Sequence, residues 1–264
     1  MIKQLRFKIF LSFYLPFILI VTASFAVYLM LEHSHEESRM ADIEKTQIEL
    51  ARSSLVRDFE NILPDIATMA NEIHLQQYLT LRDEQSRQLL IKELESFLIQ
   101  KRLYSMARIL DLNGMETIRI NYNHGKTDIV KAEKLQDKSK RYYFKESLPM
   151  GFNELYISPI DLNIEHEKIE IPHHPVIRFA MPLFDRQDKK QGILVLNYRA
   201  ELMLKHFDEM LAGTIGHVAL INSDGYWIRS HKREREWAFM FGRMERFGDR
   251  HPDVWDAIQK HNTG

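Results

Sequence analysis

The chain has 264 residues, of which 45% are hydrophobic and 28% are charged, and its formal net charge is −1. This balance is typical of globular material and lacks the basic face and high pI of nucleic-acid-binding proteins, so no nucleic-acid partner is expected. The complete absence of cysteine excludes a disulfide framework and a thiolate zinc site. We predict no cofactor.

An uncharged segment runs from Ile9 to Leu31. As a helix it would be about 34 Å long, which is enough to cross a hydrocarbon core of about 30 Å. A secretory signal peptide also begins basic and turns apolar, but its apolar part is shorter and ends at small residues. Basic residues precede the segment and acidic residues follow it, which favours a cytoplasmic N-terminus. We therefore predict a cytoplasmic segment at 1–8, a transmembrane helix at 9–31 in contact with lipid of the bacterial inner membrane, and a periplasmic remainder.

Two helices are predicted within residues 32–103. Apolar side chains from Ile48 to Ile73 recur at steps of three, four or seven residues, which is the pattern of one helical face. The other faces are charged, so this long helix can pack on its own domain or on the helix of a second copy, and we expect a homodimer. Pro64 should kink or split the helix. After a polar turn, residues 84–101 are predicted to form the second helix.

Alternating patterns typical of strands begin after residue 104. Residues 107–112 and 117–122 alternate on either side of Asn113-Gly114, which is among the strongest short hairpin signals. Further elements are an extended segment at 155–157, a second hairpin at 175–184 and 192–198, and a helix at 201–211.

A second strand, turn and strand pattern occurs at 216–228, with Asp224-Gly225 at its turn. This weak internal repeat predicts two α/β modules in series, at 104–211 and 212–264. Three or more strands are usually needed for an independently stable sheet. Because few residues follow the second hairpin, we expect the chain to be cut within its second module.

These features resemble the double Cache sensor domains of bacterial receptors, which have two PAS-like modules on one long helix. The sensor domains of histidine kinases and diguanylate cyclases are the most similar. The resemblance covers residues 40–260 and is carried by four segments: Arg141-Tyr142-Tyr143-Phe144, the stretch from Tyr156 to Asn163, the stretch from Pro175 to Pro182, and the stretch from Gly192 to Tyr198. It implies an α+β fold with a transmembrane helix, a long stalk helix, a PAS-like antiparallel-sheet module and a partial second PAS-like module.

The resemblance also implies a small-molecule pocket in the membrane-distal module. Members that bind amino acids use an arginine, an aromatic pair and acidic residues, and Arg141, Tyr143 and Phe144 match the first part of this pattern. Glu146 stands where an aspartate is expected, and Asn197 stands near the place of the other aspartate. An ammonium group would lose its counter-charge, so we do not expect an ordinary α-amino acid as the ligand.

The residues themselves leave two interpretations open. Arg141 has a planar fork of donors that suits a carboxylate or phosphate, or it is a solvated arginine at a helix end. Arg178 lies mid-strand among apolar neighbours, where a buried charge needs either a ligand or a partner such as Asp161 or Glu170. Tyr156, Ser158 and Asp161 could converge on a ligand or serve turn geometry. The candidate ligand-binding residues are therefore Arg141, Tyr143, Phe144, Tyr156, Ser158, Asp161, Arg178 and Asn197.

Catalysis and metal binding are not expected. The histidine groups at 33–36 and 166–174 do not have the spacing of three or four convergent ligands that zinc requires, and the chain contains no phosphate-binding loop, nucleophile elbow or zinc-protease motif. We predict the extracytoplasmic part of a transmembrane receptor for a small molecule, with anions among the candidate ligands, and with its kinase or cyclase output encoded downstream of Gly264. The alternatives are a membrane-tethered binding protein without an output domain and, in third place, a periplasmic hydrolase.

Overall fold

The computed structural model describes residues 2–214 and 218–260. A single helix, α1, extends from Ile2 to Ala70. The part from Pro16 to His33 is apolar and long enough to cross a membrane, with a mean hydropathy of 1.6 and no buried residue. Pro64 lies inside α1, so it does not split the helix, which was one of the two predicted outcomes. The neighbouring Ile62 and Ile66 are fully buried, and this packing holds the last turns in place despite the lost backbone hydrogen bond.

Two further helices follow α1. The sequence did not predict α2, from Ile73 to Leu81, whereas α3, from Glu84 to Lys101, has the expected bounds. The side chain of Asp83 accepts a hydrogen bond from the backbone N–H of Ser86 at 2.8 Å, which caps the start of α3.

An antiparallel sheet packs against these helices. Its strands are β1 (Tyr104–Leu110), β2 (Glu116–Asn123), β3 (Lys126–Ile129), β4 (Tyr156–Ile157), β5 (Asp161–Leu162), β8 (Pro175–Phe184) and β9 (Lys190–Arg199). The strand order is β3-β2-β1-β9-β8-β4, and β5 pairs with β8. A separate hairpin of β6 (Ile164–Glu165) and β7 (Lys168–Ile169) stands outside this sheet. Both predicted hairpins are therefore confirmed: β8 has the predicted bounds, β2 and β9 are longer than predicted, and β1 begins and ends earlier than predicted.

The two faces of the sheet differ in chemistry. One face joins the helices in the main core, to which Ala107, Ile118, Phe179 and Leu196 contribute. Successive side chains on a strand point to opposite faces, so Arg108, Arg119, Arg178 and Asn197 lie on the other side, which we call the polar face. The segment 131–170 covers the polar face and contains the short helix α4 (Tyr142–Ser147).

The C-terminal part begins with α5 (Ala200–Leu211), which contacts α1. A short hairpin of β10 (Leu220–Ile221) and β11 (Trp227–Arg229) follows, and then α6 (Phe247–Arg250) and α7 (Pro252–Lys260). The Asp224-Gly225 turn lies between these strands as predicted, while Gly216 and His217 lie outside the described residues. Trp237 belongs to the main core beside the helices, so this part packs directly on the same core as the large sheet.

Candidate functional site

Three arginines are buried on the polar face. Arg108 and Arg178 are each 1% exposed and Arg119 is 8% exposed. Arg108 and Arg119 lie opposite each other on β1 and β2, and Arg178 on β8 lies opposite Asn197 on β9. A buried guanidinium is costly unless its donors find acceptors, so the partners of these arginines define the chemistry of the site.

The Arg178 guanidinium is held by three side chains from the covering segment. It donates to Asp161 Oδ1 at 2.5 Å, to the Tyr142 hydroxyl at 3.1 Å and to Asn163 Oδ1 at 3.2 Å. The Tyr142 hydroxyl in turn donates to Asp161 Oδ2 at 2.7 Å. Burial raises the pKa of Tyr142, and the charge of Asp161 raises it further. This hydroxyl therefore stays protonated and works as a donor to the carboxylate.

Arg108 is paired with two glutamates. It donates to Glu116 Oε1 and to Glu165 Oε1, each at 3.0 Å, and to the Tyr143 hydroxyl at 3.2 Å. Although burial lowers the pKa of Arg108, the Tyr143 hydroxyl and the carboxylates of Glu165 and Glu116 raise the pKa overall. Arg108 is consequently a fixed positive charge in the middle of the polar face.

Glu165 receives more donors than any other carboxylate described on this face. Its Oε2 accepts hydrogen bonds from Arg119 Nη1, Lys138 Nζ and Gln136 Nε2, all at 3.0 Å. Burial raises the pKa of Glu165, but the charges of Arg108, Arg119 and Lys138 outweigh burial and lower the pKa to about 2. Burial and the charge of Arg108 lower the pKa of Lys138, because three cations are crowded around one carboxylate.

A cavity of about 400 Å³ opens beside this network. Its wall includes Met106, Arg119 and Asn121 from the sheet, Asn163 and Glu170 from the covering segment, and His174 just before β8. The Nδ2 of Asn197 donates to Asn163 Oδ1 at 3.4 Å. Asn197 therefore does not line the cavity itself but is hydrogen-bonded to a residue that does. Within residues 2–214 and 218–260, Arg108 Nε and Asn197 Oδ1 are buried without a hydrogen-bond partner. Such buried polar atoms gain from any ligand or water that satisfies them.

The structure brings five of the eight predicted residues into one network. Arg178 is the centre: it pairs with Asp161, its backbone N–H donates to Ser158 Oγ at 2.8 Å, and its guanidinium lies 5.2 Å from the Tyr143 ring. Asn197 joins through Asn163. The alternative that gave Arg178 a structural partner in Asp161 is therefore the arrangement observed.

The other three predicted residues surround this network. Phe144 is buried in a small apolar cluster with Leu110 and Val195, and Tyr156 packs against that cluster. Arg141 is partly exposed just before α4, and its guanidinium lies 5.9 Å from the Tyr143 ring. None of the eight residues lines the 400 Å³ cavity.

Several residues of the site were missed from the sequence. Arg108 and Arg119 each lie mid-strand between apolar residues, and this is the same signal that singled out Arg178. Glu165 carries no comparable signal, because it is separated from Arg108 by 57 positions and lies in a polar stretch. Only the packing of the covering segment on the sheet brings it to the arginines.

A possible metal cluster lies elsewhere. Within the described part of the chain, Glu72, His74 and Glu93 are the residues whose ligand atoms come within 4.8 Å of one another. They belong to the helical layer, and Glu72 already accepts a hydrogen bond from the backbone N–H of His74. The histidine groups weighed in the sequence are not part of this cluster.

The solved structures most useful for comparison are sensory domains. A domain of a sensory box/GGDEF family protein from Vibrio parahaemolyticus has a TM-score of 0.68 and 24% identity over 79% of this chain and 80% of that one. The extracellular domain of the histidine kinase vpHK1S-Z8 also has a TM-score of 0.68 and 24% identity, over 81% of this chain and 79% of that one. The ligand-binding domain of the Campylobacter jejuni chemoreceptor Tlp3, in complex with 4-methylisoleucine, has a TM-score of 0.52 and 15% identity, over 72% of this chain and 70% of that one. These likenesses establish a common fold.

The sequence comparison identifies the family. The comparison with curated proteins found no match. A family model described as the sensor domain of bacterial histidine kinases, however, matches residues 39–264. This match covers most of the chain and agrees with the Cache-like resemblance of the four segments and with the shared fold. The chain belongs to the bacterial histidine kinase sensor domain family, and it is a sensor domain rather than a catalytic one.

Proposed function

We propose that this chain senses a small polar molecule outside the cytoplasm, in the cavity beside Arg119 and Asn163. The observation that carries the proposal is a 400 Å³ cavity next to buried charges and to polar atoms that lack a partner. Such convergence of polar groups in a preformed cavity is typical of ligand sites. The Tlp3 domain, which is similar in fold, is described in complex with 4-methylisoleucine, and this supports a ligand of similar size.

The sheet connects this cavity to α1. Arg178 and Asn197 lie on the polar face, while their chain neighbours Phe179 and Tyr198 lie on the helical side. The ring of Phe59 in α1 is 6.3 Å from each of these two rings. A ligand that favours one position of β8 and β9 therefore changes the packing of α1, provided that the two arrangements differ in affinity for it.

We propose that α1 carries this change across the membrane as part of a homodimer. The segment 9–31 would be the membrane-spanning part, with the N-terminus in the cytoplasm. Apolar side chains remain exposed on α1 beyond it, among them Ile48, Leu50 and Val56, which are 43%, 62% and 47% exposed. Because the natural chain lacks cysteine, Val56→Cys can be cross-linked in bacterial membranes, with Gln187→Cys on the β8–β9 turn as the control. A dimer band with both variants, or with neither, would contradict this interface.

Ligand binding is tested on the 264-residue chain in detergent micelles. A thermal-shift screen of carboxylates, amines and nucleobases is followed by calorimetry of each compound that raises Tm. Asn121→Phe fills the cavity, so we expect at least tenfold weaker binding, whereas Gln187→Phe on the exposed turn should bind as the wild type does. Equal affinity of the two variants would show that the ligand binds elsewhere.

Arg141 and the output domain need separate measurements. If the family pattern applies, Arg141→Ala weakens binding as well, and an unchanged affinity would leave Arg141 as a solvated residue.

The gene sequence beyond codon 264 tests the receptor assignment. A second spanning segment followed by kinase or cyclase motifs supports the receptor, and a stop codon favours the membrane-tethered binding protein.

A further inference from the structure

We infer that Glu165 is a built-in substitute for a ligand carboxylate: it fills an anion-binding site formed by Arg108, Arg119 and Lys138, and a carboxylate-bearing molecule displaces it. This inference rests on the proposed sensing function and specifies its ligand class and its mechanism. It concerns residues of β1, β2 and the segment before α4, rather than Arg141 and the aromatic residues that follow it.

The site around Glu165 is fully formed by the rest of the molecule. Arg108 and Arg119 come from the adjacent strands β1 and β2, and Lys138 is 4% exposed. Each donates to the Glu165 carboxylate at 3.0 Å. Without Glu165, the same three cations would be left with the carboxylate of Glu116, which accepts from Arg108 at 3.0 Å and lies 3.7 Å from Arg119. Three buried positive charges beside one carboxylate would strongly attract another anion.

The hairpin that carries Glu165 is held to the rest of the molecule by side-chain contacts rather than by pairing with the large sheet. Strands β6 and β7 pair only with each other, outside the seven-stranded sheet. The turn residues His166 and Glu167 are exposed, and the backbone N–H of His166 reaches Gln136 Oε1 only at 3.4 Å. The base of the hairpin is closed by its own hydrogen bond, from Glu170 N to Asn163 O at 3.1 Å. The hairpin can thus withdraw as a unit without breaking the sheet.

The cavity gives an incoming molecule access to this site. Arg119 lines the cavity and also binds Glu165, while Asn163 and Glu170 at the base of the hairpin line the same cavity. A carboxylate that enters first meets Arg119 and then competes for Arg108 and Lys138. One carboxylate replaces another of the same charge, so the buried cations stay paired throughout the exchange.

Chemical rescue tests the inference on the 264-residue chain in detergent micelles. Glu165→Ala removes a fragment that acetate reproduces, so acetate should raise its Tm by about 3 to 6 °C at a concentration ten times the Kd. Chloride at equal ionic strength should not do so. Glu133→Ala, which removes an exposed glutamate from the same covering segment, should show no acetate response. The response should disappear in the double variant Arg119→Ala/Glu165→Ala. Equal effects of acetate and chloride on Glu165→Ala would overturn the inference.

A second measurement covers the case in which Glu165→Ala does not fold. Glu165→Gln keeps the shape but loses the charge, so hydrogen exchange of residues 163–170 should be at least fivefold faster than in the wild type, with β8 and β9 unchanged. A carboxylate found in the ligand screen should produce the same faster exchange in the wild type. If such a ligand binds and the exchange at 163–170 stays unchanged, the displacement of Glu165 is wrong while the sensing function stands. If cavity variants and the wild type bind every compound alike, the proposed function fails, and acetate rescue still tests the anion site.

Discussion

The buried pair of Arg178 and Asp161 offers the sharpest test of the polar face. Arg178→Met keeps most of the side-chain volume but leaves Asp161, which is 7% exposed, with only the Tyr142 hydroxyl as a donor. Removing one partner of a buried ion pair costs about 3–5 kcal/mol. In a domain of this size, 1 kcal/mol corresponds to about 2–4 °C, so the expected fall in Tm is about 6 to 20 °C.

The assay is thermal unfolding of the chain in detergent micelles, monitored by near-ultraviolet circular dichroism. Arg186→Met on the exposed β8–β9 turn is the matched control and should change Tm by less than about 2 °C, because isolated surface substitutions rarely exceed about 0.5 kcal/mol. The double variant Arg178→Met/Asp161→Asn no longer buries an unpaired charge and should be more stable than Arg178→Met alone. A fall in Tm as small as that of Arg186→Met, or a double variant that is no more stable, would refute the reasoning.

Three further outcomes are expected. Gly192→Ala should lower Tm by several degrees, because its Cβ would lie 2.3 Å from a backbone oxygen of β1, whereas Gly213→Ala, with open space around it, should not. The folded-state pKa of Glu165, about 2, lies below its ordinary value of 4.5. Its charged carboxylate therefore stabilises the fold fully above about pH 4.5, and this stabilisation is lost as the pH falls towards 2. The Tm difference between wild type and Glu165→Gln should shrink over that range. Tyr104→Phe should cost about 1–2 kcal/mol in urea unfolding, because the Tyr104 hydroxyl donates to buried Asp65 at 2.8 Å, and an unchanged unfolding midpoint would contradict this.

Local patterns determined the secondary structure better than they determined the site. The nearly continuous apolar run at 175–184 predicted β8 with its observed bounds, because a strand that is buried on both faces carries few polar residues. The sequence of α2 has no such clear period, and it is helical through its packing beneath the sheet, where Leu75 and Leu79 are 1% and 3% exposed. Pro64 shows the same effect, since tertiary packing keeps helical a segment whose local chemistry favours a break.

The arginines show where inference from sequence ended. Arg178 was singled out because a charge between apolar neighbours in a strand needs a partner, and Arg108 carried the same signal unnoticed. Arg141 was singled out by family resemblance, yet the structure leaves it partly exposed before α4, so its role in binding stays a prediction. Glu165 could not be found in this way, because nothing in the polar stretch around it indicates that its carboxylate is 6% exposed and shared by three cations.

The sequence alone determined the apolar segment at 9–31, the two main hairpins of the sheet, and the family of the chain. Each of these depends on the order of residues over a short span, through charge, periodicity or turn chemistry. Only the tertiary structure decided which buried cations pair with which carboxylates and where the cavity opens. These pairings join residues as far apart as Arg108 and Glu165. They form because the covering segment folds onto the polar face and excludes water from it, and a buried charge without a partner is costly.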